Sequence, residues 1–151
     1  KLSKHLSLIR KIWVGDVMHR DPIVVNLKEK IEKAAGLLSD NNIRHLPVID
    51  NDGNLQGILS DRDLLGAVLN TRPWVLQERL DNERTHHTVR EYMSSSPETV
   101  TPDTDLLEAG TIMLDNKISS LPVVEGNKVV GIITATDFVK LVCEGFEGIS
   151  P

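Results

Sequence analysis

Two short stretches set a hydroxyl residue three positions ahead of a carboxylate: Ser60-Asp61-Arg62-Asp63 and Thr134-Ala135-Thr136-Asp137. A carboxylate can accept the protons of two adjacent ribose hydroxyls, and a hydroxyl or a cation can bind phosphate oxygens. The same spacing suits a helix start, where such side chains satisfy free backbone N–H groups. A helix N-terminus also attracts phosphate, so the two roles are compatible, and the residues alone leave both open. Cations gather in the first half, where Arg44, His45 and Arg62 stand opposite Ser119, Ser120 and Thr136 of the second.

The elements that must position these residues are duplicated. Leu46-Pro47-Val48 returns as Leu121-Pro122-Val123 about 75 residues later, the mark of an internal repeat. Met18 matches Met93, Pro22 matches Pro97, Val25 matches Val100, Ala34 matches Ala109 and Ile43 matches Ile118. A one-residue deletion in the following turn then aligns Gly57 with Gly131, Ile58 with Ile132 and Asp63 with Asp137.

Each copy reads as strand, helix, two strands, helix. Ile23-Val24-Val25 is a short strand, and Ile31, Ala34, Ala35 and Leu38 mark one helix face, repeated by Leu106, Ala109, Gly110 and Met113. Asp105 with Glu108 is expected to cap the second of these helices. Asp50-Asn51-Asp52-Gly53 predicts a tight hairpin turn. It fails as a calcium loop, because Val48 and Leu59 occupy positions that need ligands. The closing helices carry Leu64, Leu65, Val68 and Leu69 in one copy and Phe138, Leu141 and Val142 in the other.

The unit resembles the CBS domain, and two in tandem resemble a Bateman module. The residues that carry the likeness are Met-x-x-x-Pro, the helix ending before Ile43 and Ile118, the Leu-Pro-Val strand, and a glycine-led strand closing on Ser60 or Thr134 with Asp63 or Asp137. The resemblance implies an α/β (α+β) fold of two tandem CBS repeats, each strand-helix-strand-strand-helix, packed with pseudo-two-fold symmetry. It implies that Asp63 and Asp137 hold ribose, that Ser60 and Thr134 lie near phosphate or ribose, and that Ile23 and Thr99, one and two residues after the strand-starting prolines, line a base pocket. In a related four-repeat protein, the gamma subunit of AMP-activated protein kinase, basic residues at the positions of Arg44 and His45 contact phosphates. Arg62 and Thr136 join this phosphate set, which points to an anionic ligand gripped mainly by first-copy cations.

The implied function is a regulatory sensor that binds an adenine nucleotide or adenosyl ligand, such as AMP, ADP, ATP, S-adenosylmethionine or NAD, in the cleft between the repeats. It would relay a conformational change to a partner or a fused domain. No cofactor is required beyond that ligand, and no enzyme activity is expected. Two alternatives are a hydrolytic enzyme using Asp61, Asp63 and His45, and an unliganded dimerisation scaffold. The resemblance also implies a homodimer built through exposed helix faces.

The 151-residue chain has 40% hydrophobic but only 3% aromatic residues, so its core must be aliphatic. A repeat of roughly 60 residues is marginal alone, and the two are expected to share one core. The expected organisation is an amphipathic helix or linker over 1–15, repeats over 16–69 and 89–143, a connector over 70–88 and a tail over 144–151. Leu2, Leu6, Ile9 and Trp13 recur at helical spacing in the basic leading helix, which is expected to pack on the module or link it to an upstream domain. The chain begins without methionine and is open to being a piece of something longer.

Net charge of −5 argues against nonspecific nucleic-acid binding. No apolar run reaches the ~20 residues of a membrane span. Cys143 has no partner in the chain, which fits a reducing, cytoplasmic compartment, and is expected to be a small buried apolar residue. His86-His87 and the solitary His5 and His19 lack a second cluster and are expected to be solvated rather than to bind metal.

Overall fold

A computed structural model describes residues 11–69 and 87–145. In chain order the elements are α1 (Val14–Val17), β1 (His19–Arg20), β2 (Val25–Asn26), α2 (Ile31–Asp40), β3 (His45–Ile49), β4 (Leu55–Ser60), α3 (Asp61–Leu69), α4 (Val89–Tyr92), β5 (Ser94–Ser95), α5 (Leu106–Asn116), β6 (Ser120–Glu125), β7 (Lys128–Thr134) and α6 (Ala135–Glu144). They divide into two compact units: Pro22–Pro97, and Lys1–Asp21 together with Glu98–Pro151.

The first-copy unit, Pro22–Pro97, has a four-stranded sheet ordered β2-β3-β4-β5. β2 runs parallel to β3 with Val25 opposite Val48, and β3 pairs antiparallel with β4, Leu46 facing Leu59. Ala34 and Leu38, one helical turn apart on α2, are buried against these strands with Ile31 and Leu37 packed beside them. The helix closes where Asn42 takes a left-handed φ of 51° and the Ile43 amide donates back to Leu38 O at 3.0 Å. The turn after β3 folds around Asp50, whose Oδ1 accepts from the amides of Asp52 and Asn54, both at 2.9 Å, while Gly53 supplies a φ of 83°.

The second-copy unit repeats the plan with a sheet ordered β1-β7-β6. A single parallel bridge, Val100 to Val123, stands where β2 pairs with β3. Lys117 takes a φ of 54° at the end of α5, and Ile118 N donates to Met113 O at 3.0 Å. Asp105 caps α5 by accepting from Leu107 N at 2.9 Å, a role it fills without the expected return bond from Glu108.

Each unit is completed by the segment that leads into the other copy. His19 and Arg20 pair with Ile132 and Gly131, whereas Ser94 and Ser95 pair with Ile58 and Gly57. A Cβ on Gly57 would stand 2.6 Å from Ser94 O and 2.7 Å from Met93 Sδ; one on Gly131 would stand 2.6 Å from Met18 Sδ and 3.0 Å from His19 O. The matched methionines and glycines are therefore two halves of one contact, in which the strand must lack a side chain for the lead-in segment to reach it.

Among the described residues the buried apolar side chains form two clusters, one within each unit, rather than the single one expected: Val14 and Met18 join Leu121, Val123 and Ile133 in one, and Val89 joins Leu46, Val48 and Leu59 in the other. Three further expectations change. Trp13 is not part of an apolar helix face: it is the 42% exposed N-cap of α1, while residues 1–10 of the helix expected over 1–15 lie outside the described residues. Cys143 is exposed, because it lies off the side of α6 that carries Phe138 and Leu141 to the core. His87 is not solvated: its Nδ1 lies 2.9 Å from Tyr92 Oη and 3.1 Å from Glu91 Oε2. His5, His86, residues 70–86 of the connector expected over 70–88 and residues 146–151 of the tail expected over 144–151 lie outside the described residues.

Candidate functional site

In the first-copy unit β4 runs directly into α3, and the junction forms a corner beside the start of β3. His45 stands opposite Ser60 across the ladder, and the Asp61 amide donates to Arg44 O at 3.0 Å, so backbone pairing continues past the strand ends. Ser60 N donates to Asp63 Oδ2 at 2.8 Å, and Asp63 N donates to Ser60 Oγ at 3.1 Å. This reciprocal pair satisfies two backbone donors at the helix start. Oδ1 of Asp63 has no hydrogen-bond partner among the described residues.

The half-buried imidazole of His45 is surrounded by charge. Burial holds its pKa below the ordinary imidazole value; the carboxylates of Asp61 and Asp63 oppose that shift, and the guanidiniums of Arg44 and Arg62 reinforce it. Arg44, Asp61 and Arg62 are exposed around it, and Asp61 Oδ1 accepts from the Arg62 amide at 2.9 Å. The sequence-derived phosphate set of the first copy, Arg44, His45, Ser60 and Arg62, thus converges with Asp63 on one corner.

The second-copy corner has the same backbone. Ser120 stands opposite Thr134, Ala135 N donates to Ser119 O at 2.9 Å, and Thr134 N donates to Asp137 Oδ2 at 2.8 Å. Thr134 and Asp137 form a capping box, with Thr134 Oγ1 also 3.3 Å from Asp137 Oδ2. Capping is realised at both corners and consumes one oxygen of each carboxylate. Thr136 is exposed, while Ser120, in the place of His45, is 7% exposed.

The two base-pocket candidates differ. Ile23 packs half-buried against the first-copy core, whereas Thr99 is exposed and, by the register of Val25 with Val48 and Val100 with Val123, stands level with Val24. Sequence reasoning passed over Ser120 as the mere lack of a cation; its burial opposite Thr134 makes it part of the second corner. An open depression lined by Asn26, Lys28, Glu29, Lys30, Glu32, Lys33 and Asn51 shares no residue with either corner, and its charges offset one another, as in the Lys33–Glu29 pair at 3.3 Å. Among the described residues no group of three His, Cys, Asp or Glu is arranged to hold a metal ion, and no helix is long and apolar enough to cross a membrane.

The profile of the CBS domain matches residues 14–70 and again 89–144. This chain belongs to the CBS domain family. As a tandem CBS pair it is 32% identical over 143 residues to a CBS domain-containing protein of Dictyostelium discoideum, covering 93% of this chain and 98% of that one. A homoserine O-acetyltransferase of Methanosalsum zhilinae is 32% identical over 137 residues, covering 90% of this chain but 25% of that one. Among solved structures, the CBS domain pair of protein MJ0100, in complex with 5′-methylthioadenosine and S-adenosyl-L-methionine, gives a TM-score of 0.76 at 28% identity over 89% of this chain and 98% of that one. CBSX2 in complex with AMP gives 0.73 at 31% identity over 87% and 96%.

Proposed function

We propose that this CBS pair is a regulatory module that binds adenine nucleotides or adenosyl compounds at its two strand-to-helix corners. The observation that carries the reading is the first-copy corner, where Asp63 keeps Oδ1 unengaged by any described residue within a ring of Arg44, His45 and Arg62. A carboxylate anchored through one oxygen is held rigidly for ribose hydroxyls, and guanidiniums beside it match the geometry of phosphate. Asp137 would take the same part in the second copy, with Thr134 and Thr136 in reach of the ligand; Ile23 and Thr99 are the base-pocket candidates. The adenosyl ligands of MJ0100 and CBSX2 support the class of ligand.

Binding would bias the conformation of the pair and pass that bias to a partner or a fused domain, as the relatives in which the match is a minor part of a longer chain suggest. The pair would act as a homodimer through Leu107 and Leu114 of α5 and Val139 and Val142 of α6, all more than half exposed. The hydrolytic alternative needs Asp61, Asp63 and His45 to act on a bound substrate. It is not adopted, because two of its three residues have no counterpart at the other corner, where Asp61 and His45 become Ala135 and Ser120.

A thermal-shift panel of AMP, ADP, ATP, S-adenosylmethionine and NAD tests the reading. A ligand present at 100 times its Kd should stabilise the fold by about 2.7 kcal/mol. A flat panel would leave the scaffold alternative, and appearance of a hydrolysis product would restore the enzyme.

A further inference from the structure

The two corners share one scaffold and differ only in what they display. The Asp61 and Ala135 amides donate to Arg44 O and Ser119 O at 3.0 and 2.9 Å, and the carboxylates of Asp63 and Asp137 both sit 2.8 Å from a strand-end amide. Around this common frame Arg44 becomes Ser119, His45 becomes Ser120, Asp61 becomes Ala135 and Arg62 becomes Thr136.

We infer that the two corners bind chemically different ligands: the first a nucleotide that carries phosphate, the second an adenosyl compound that carries none. The inference rests on the nucleotide-binding reading above and divides it between the copies. In the first corner two guanidiniums offset the carboxylates of Asp61 and Asp63, so an arriving phosphate meets fork-shaped donors rather than net negative charge. Neither guanidinium has a salt bridge among the described residues, which leaves both to the ligand. In the second corner Asp137 is the only charged group of the set. A phosphate there would find hydroxyl donors alone and would be repelled by that carboxylate. An uncharged nucleoside loses nothing, and a cationic adenosyl group would gain.

Calorimetric titration of the full chain with AMP and with adenosine tests the division. In wild type both should bind. Asp63→Ala should weaken AMP more than adenosine, and Asp137→Ala should weaken adenosine more than AMP. The exposed double change Arg44→Ser/Arg62→Thr leaves both caps intact and gives the first corner the second's residues at its two guanidinium positions. Its loss for AMP should exceed that for adenosine by roughly tenfold or more, since charge-assisted bonds to phosphate are about twice as strong as neutral ones. Equal losses for both ligands in all three variants, or AMP depending chiefly on Asp137, would overturn the division while leaving nucleotide binding standing. Wild type binding neither ligand would overturn both.

Discussion

In the first-copy unit the Val89 amide is tied to Glu29 O at 2.9 Å and the Ile31 amide to His87 O at 3.0 Å; in the second-copy unit the equivalent Val14 and Leu106 amides meet Thr104 O and Ile12 O, each at 2.8 Å. The backbone of the lead-in segments has thus been kept bond for bond. Exposed helix positions have not: Glu32 and Ser39 of α2 correspond to Leu107 and Leu114 of α5, and the corner residues have exchanged cations for hydroxyls. Buried backbone groups must find partners or cost free energy, so they hold both copies to one plan. Exposed side chains carry no such penalty, and there the copies have diverged.

The largest effect should come from cutting the chain along or across the spatial units. A fragment Pro22–Pro97 contains the whole first-copy unit and should melt cooperatively. One ending at Asn70 lacks Val89, which is fully buried, together with Tyr92, Met93 and β5, and should be unfolded or aggregated. Circular dichroism melts that look alike for both fragments would deny the exchange its structural weight.

Leu114→Glu, on a side chain 80% exposed, should convert the proposed dimer to a monomer in sedimentation, whereas Ser39→Glu at the equivalent place on α2 should leave sedimentation unchanged. If both variants sediment as wild type, the apolar face of α5 is not the interface.

Gly57→Ala and Gly131→Ala should each cost about 1–3 kcal/mol in urea unfolding by overpacking. Gly57→Ala should cost more, because the nearest obstruction is the Ser94 carbonyl at 2.6 Å, while at Gly131 it is the flexible Met18 sulfur, with backbone 3.0 Å away. The reverse order would mean that the β5 pairing is the softer of the two.

Without ligand, Asp63→Ala and Asp137→Ala should destabilise by about 0.5–2 kcal/mol each through the lost cap. Similar values are expected, since both carboxylates accept a strand-end amide at 2.8 Å. A cost at one corner only would mark the other as held for ligand rather than for stability.

The smallest effect is on pH. With the folded pKa of His45 lowered by burial, the unfolded chain binds more protons between that pKa and the ordinary value of about 6.5. Stability from His45 is complete above that value and is lost as pH falls below it. His45→Gln should therefore soften the drop in melting temperature between pH 7.5 and 5.5, and Ser120→Ala should not; parallel curves for wild type and His45→Gln would show that other groups govern the slope.

Much of this was legible in the chain. The duplication, the helix faces of Ala34 and Leu38 or Ala109 and Met113, the turn at Asp50 and the spacing of Ser60 and Asp63 all follow from local periodicity and from the chemistry of neighbouring residues. So did the cation asymmetry at the corners, because a repeat supplies its own comparison. Cys143 and His87 were misjudged because their surroundings are set by packing: the last turns of α6 turn Val142 and Cys143 outward, and Tyr92 closes on the His87 ring with centroids 5.6 Å apart.

What the sequence could not decide was which partner each repeated piece would take. Met18 and Met93 are each complementary to a glycine-led strand, and nothing in local pattern tells Met18 to choose Gly131 over Gly57. That choice belongs to the tertiary structure, in which each lead-in segment crosses to the other copy and each core is finished by a residue that the expected boundaries put elsewhere, Val14 in the leading segment and Val89 in the second repeat. Side-chain spacing encodes which face of an element is apolar. It does not encode which of two equivalent surfaces will cover that face, because the free energies of the two pairings differ only through the whole folded chain.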